Sequence, residues 1–79
     1  MTPLPNISTG DLKADQRTFT QWCMDCLEDC SQERYKQAGI IEASFNNLRT
    51  MNKDKPEAWA KLKELHDADV AKLQAMIAG

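Results

Sequence analysis

The sequence predicts an all-α protein, and three observations carry that prediction. Gly and Pro number only three each, whereas Ala, Leu, Lys, Glu, Gln and Met are plentiful and lose little rotamer freedom in a helix. Apolar side chains recur at the three- and four-residue spacing of one helix face rather than alternating. Two stretches, Ser8 to Asp11 and Asp54 to Glu57, have the form of helix starts. At 79 residues the chain makes at most one domain, and a domain so small buries little of its surface unless it gains a staple or a partner. A subunit interface is therefore expected.

Pro3 and Pro5 stand among small polar residues, which favours an extended lead-in. Residues 1–8 are expected to be a poorly ordered tail and residues 9–79 the single helical domain. Ser8 with Asp11 resembles a capping box, with Thr9 as a competing N-cap. A helix-compatible run then extends over about 11–51. Advanced at about 100° per residue, Leu12, Phe19, Cys23, Cys26, Leu27, Cys30, Ala38, Ile41, Phe45 and Leu48 share an arc of about 120°. A break usually resets the phase, so its persistence predicts one long helix of about 60 Å. The weak spot is residues 32–39, where Arg34 and Gln37 interrupt the seam and Gly39 costs about 1 kcal/mol relative to Ala. A turn near residue 31 would give the alternative, a three-helix bundle.

The stretch NKDKPEAW, residues 52–59, is the clearest boundary. Asp54 can cap, Pro56 suits a first turn that does not need its N–H, and Glu57 completes the box. A second helix over about 55–78, ended by Gly79, carries Trp59, Leu62, Leu65, His66, Val70, Leu73, Met76 and Ile77 on one face. The short linker turns it back antiparallel as a helical hairpin, with His66 near Ile41 and Ile77 near Cys30. The residues before about Leu27 then have an apolar seam with nothing to cover it, which predicts a homodimer or larger bundle formed through the Cys-rich half.

Ten basic and twelve acidic side chains give a net charge of −2, spread along the chain with no field concentrated against phosphates. Nucleic acid and anionic membrane are thereby disfavoured as partners. Lys53, Lys55, Lys61 and Lys63 cluster, but Asp54, Glu57 and Glu64 interleave with them, unlike a recognition helix. No apolar run approaches the roughly 18 residues of a membrane span, and the first residues lack the basic flank and apolar core of an export signal. A small acidic cytoplasmic protein is the expectation.

All three cysteines lie in WCMDCLEDC, residues 22–30. Their crowding is unlike a disulfide framework and fits a reducing compartment. On a helix, Cys23, Cys26 and Cys30 stand at i, i+3 and i+7 beside Phe19 and Leu27, so they behave as small polarisable apolar groups on a packing face. Trp22 borders that face, as an interface anchor often does. Phe19, Trp22, Cys23, Cys26, Leu27 and Cys30 form the expected protein interface, with Asp25, Glu28 and Asp29 on an acidic outer face. The competing chemistry is zinc bound by the three thiolates and His66, a tetrahedral donor set that needs the chain to fold back near Ser31. Redox regulation at Cys23 and Cys26 is disfavoured, because no cation neighbours the thiols and the three carboxylates would raise their pKa.

No catalytic site, metal or cofactor is expected. His66 lies on the apolar arc with Asp69 at its edge, as a structural histidine does. No nucleophile elbow or oxyanion loop accompanies the Ser and Cys residues, and the glycines at 10, 39 and 79 stand alone rather than forming a phosphate loop. The functional expectation is a non-enzymatic protein-interaction module, an adaptor or stoichiometric inhibitor that presents a helix face to a larger protein. The alternative is a zinc- or redox-dependent regulator using the cysteine cluster.

Overall fold

The computed structural model describes residues 2–26, 31–51 and 54–78. Among these the chain forms three α-helices and no strand: α1 (Leu12–Cys26), α2 (Gln32–Thr50) and α3 (Pro56–Ala78). The molecule measures 40 × 20 × 18 Å, too short along its longest axis for the single helix of about 60 Å expected over 11–51. Instead α1 lies against α2, with the Phe19 ring 6.1 Å from that of Phe45. Two residues 26 apart in one straight helix would be about 39 Å apart. The arrangement is the three-helix alternative, with a new helix starting after Ser31.

Each helix start has a local cause. The α1 N-cap is Asp11 rather than Ser8 or Thr9, its Oδ1 accepting from Ala14 N at 3.2 Å. Thr9 is held elsewhere, donating through its backbone N–H and its hydroxyl to the buried carboxylate of Asp15. Between them Gly10 adopts φ 97°, a region that a side chain would strain. Ser31 caps α2 by accepting from Arg34 N at 3.4 Å, and Pro56 opens α3 as its proline predicts.

α2 and α3 run antiparallel. Arg34 donates to Met76 O, Gln37 to Asp69 O, and Trp59 Nε1 to Leu48 O. Arg34 and Gln37, the polar interruptions of the apolar seam, thus tie α2 to the α3 backbone. The Met76 carbonyl belongs to the last turn of α3, where the helix offers it no donor, so Arg34 serves as a C-terminal cap from a neighbouring helix.

Phe19, Ile41, Phe45 and Leu73 are fully buried at the centre, with Ala38 and Val70 beside them. The lead-in contributes as well: Ile7 is only 3% exposed and Leu4 packs against the same cluster. The stretch anticipated as a tail therefore places side chains in the core. On the outside of α1, Gln16 donates to Glu42 and Asn46 and accepts from Arg49, while Thr20 donates to Glu42. This polar rim fixes how α1 lies across α2.

Candidate interaction surfaces

The residues singled out in WCMDCLEDC sit mostly inside. Phe19 is fully buried and Trp22 nearly so, their rings stacked 6.0 Å apart. Trp22 Nε1 also donates to Thr2 O at 3.3 Å, which pins the lead-in over α1. Cys23 and Cys26 are half-buried and pack against the core. Leu27 and Cys30, like Glu28 and Asp29, lie outside the described residues. The seam that called for a second chain is covered by α2 and the lead-in, so the packing reason for a dimer through this half falls away. Neither Phe19 nor Trp22 presents a free surface.

His66 is buried at the α2–α3 interface, its ring edge-on to Phe45 at 4.4 Å. Ser44 Oγ lies 2.7 Å from Ile41 O and beside His66 Nδ1. With its one proton given to the carbonyl, the hydroxyl accepts from an Nδ1–H imidazole. Burial lowers the His66 pKa below its usual 6.5, and Lys63 lowers it further, against the opposing pull of Asp67, Asp69 and Asp15. The ring is therefore a neutral core histidine. Among the described residues no group of three or more His, Cys, Asp or Glu side chains could hold a metal ion, and none of their helices is long and apolar enough to cross a membrane.

Exposed apolar groups lie elsewhere. Ile40 on α2 is 48% exposed and Leu65 on α3 is 59% exposed. Helical phase places Ile40 about 100° from the buried Ile41 on the α3 side of α2, and Leu65 about 100° from His66 on the α2 side of α3. The pairings Gln37 with Asp69 and Ser44 with His66 bring the two to within about one turn of the same level. They flank the α2–α3 seam on the side turned away from α1, with half-buried Leu62 nearby. Leu65 was expected on the covered face. It falls at the edge of an apolar arc wider than two neighbours can bury, and that excess width was the available signal. Tyr35 on α2 is also exposed, about 160° in helical phase from the side that faces α3, and Met24 (69% exposed) lies on α1.

No protein-family model matches the chain, and neither a curated protein nor a solved structure shows significant similarity to it.

Proposed function

We propose that the chain is a non-enzymatic protein-interaction module, an adaptor or stoichiometric inhibitor whose binding face is the α2–α3 flank around Ile40 and Leu65. One observation carries this: two large aliphatic side chains stand exposed, and helical phase puts them on the same flank of a helix pair bonded along its whole length. A rigid, preorganised apolar face loses little freedom when it docks, and apolar side chains grouped in this way mark interaction sites more often than scattered ones do. The partner is a larger protein. Self-association through the same flank would need the face to be self-complementary about a two-fold axis.

Ile40→Glu with Leu65→Glu tests the proposal. Both positions are solvent-facing, so the double variant should keep its helical circular dichroism while losing the partner captured by the parent from a lysate of the source organism. Tyr35→Glu, on a different face of α2, should capture it undiminished. Equal capture by all three proteins would refute the assignment of this face. Light scattering on the purified parent separates the two kinds of partner: a monomer in solution fits a heterologous one, whereas a dimer abolished by the double variant would make the partner a second copy.

A further inference from the structure

A groove of about 880 Å³ opens at the end of the bundle where α1 and α3 begin and α2 ends, away from the α2–α3 flank. Its apolar lining includes Leu12, Leu48 and Trp59. The indole is held in place, because its Nε1 donates to Leu48 O at 3.1 Å. Leu48 is itself buried and Leu12 and Trp59 are half-buried, so the wall is set by the fold rather than by flexible surface side chains.

The rim is cationic. Lys13, Arg49 and Lys63 line the groove against a single carboxylate, Asp11, and Asp11 is already engaged as the α1 N-cap. Lys63 is paired with Asp67 and Arg49 donates one N–H to Gln16, while Lys13 has neither hydrogen bond nor ion pair among the described residues. The first turns of α1 and α3 both border the opening, and helix N-termini add positive potential. A pocket with apolar walls and a few convergent polar groups is the usual form of a small-molecule site. Here the convergent cations outnumber the carboxylate three to one.

We propose that this groove binds a small organic monoanion, a carboxylate carried on a flat apolar body that packs against Trp59 while the carboxylate meets Lys13 and Arg49. Charge complementarity selects an anion over a neutral ligand, and the indole wall selects an apolar body over inorganic phosphate. The site is independent of the flank assigned to the protein partner, so either assignment can fail alone.

The test is a titration of the isotopically labelled full chain with sodium 2-naphthoate, read by amide and indole NMR shifts, with 2-naphthalenemethanol as the uncharged control. The expected result is a saturable shift of the Trp59 indole N–H with a dissociation constant on the order of 1 mM or tighter, while the Trp22 indole stays still. Lys13→Gln and Arg49→Gln should each weaken naphthoate about threefold, and together about tenfold, without changing the weak response to the alcohol. Both side chains are exposed, and the unshifted resonances of the variants report that the fold is intact. The Ile40→Glu, Leu65→Glu double variant should bind naphthoate as the parent does. The proposal is overturned if the Trp59 indole does not saturate, if acid and alcohol bind equally, or if the Trp22 indole shifts in step with that of Trp59.

Discussion

α2 has two neighbours and is joined to them in different ways. Against α3 it makes bonds along its whole length: Arg34 to Met76 O, Gln37 to Asp69 O, Ser44 with His66, and Trp59 to Leu48 O. Against α1 the core contact is centred on one aromatic pair, Phe19 on Phe45, framed by a polar rim of Gln16, Thr20, Glu42, Asn46 and Arg49 whose bonds are exposed except for the part-buried one from Gln16 to Glu42. The bonds to α3 are buried or part-buried, where hydrogen bonds gain from lower dielectric and are costly to leave half-made, whereas exposed ones exchange with water at little net cost. The α2–α3 pair is thus the rigid platform, and α1 with the lead-in is a cover that completes the core.

The largest effect is expected where the two interfaces meet. Phe45 touches Phe19 on one side and His66 on the other, so Phe45→Ala should cost about 3 to 5 kcal/mol. A domain of this size has a total stability of about 4 to 12 kcal/mol, so the loss removes about a quarter of it or more, and urea unfolding should show the lowest midpoint of any variant considered. Phe19→Ala removes the α1 anchor alone and should cost about 3 kcal/mol. Its amide hydrogen exchange should show α1 losing protection first, with α2 and α3 retaining theirs. Simultaneous loss in all three helices would abolish the distinction between platform and cover.

Acid probes the platform through His66. Its folded-state pKa is lowered, so below the ordinary value of 6.5 the unfolded chain takes up a proton that the folded chain resists. Stability is then fully present above pH 6.5 and falls as the pH drops from 6.5 towards the folded-state pKa. Urea midpoints measured from pH 8 downward should decline over that window, and His66→Phe should remove that part of the decline. A smaller effect, about 1 kcal/mol, is expected for Arg34→Met, which removes the cap on Met76 O and keeps much of the aliphatic packing. The smallest belongs to the rim: Gln16→Ala should lower the unfolding free energy measured in urea by no more than about 0.5 kcal/mol, because its bonds are largely exposed.

The contrast also explains what the sequence could disclose. α3 is legible almost to the residue, because Pro56 and the residues before it punctuate its start and its apolar arc is continuous. The composition discloses the all-helical class. The division between α1 and α2 is not legible from phase, since two amphipathic helices can keep a common phase by count across the short stretch between Cys26 and Gln32. Ser31, a good N-cap, is the only local mark of the second start. Arg34 and Gln37 look like defects in a seam until the α3 carbonyls they reach are known. Ile7 offers no periodicity at all, yet it enters the core because the bonds from Thr9 to Asp15 and from Trp22 to Thr2 fold the lead-in over α1. Leu65 shows the reverse. It belongs to the apolar arc, but whether an edge position is covered depends on where the third helix lies. In the cysteine cluster the sequence pattern identifies a packing face but not which chain it packs against.

The Phe19 face of α1 is covered by α2 of its own chain. An isotope-filtered NOE experiment on a mixture of labelled and unlabelled protein tests it directly. Strong contacts between the Phe19 and Phe45 rings are expected within uniformly labelled chains, and none in the intermolecular filter. Ring contacts seen only between labelled and unlabelled chains would contradict it, and would restore a long helix paired across a dimer.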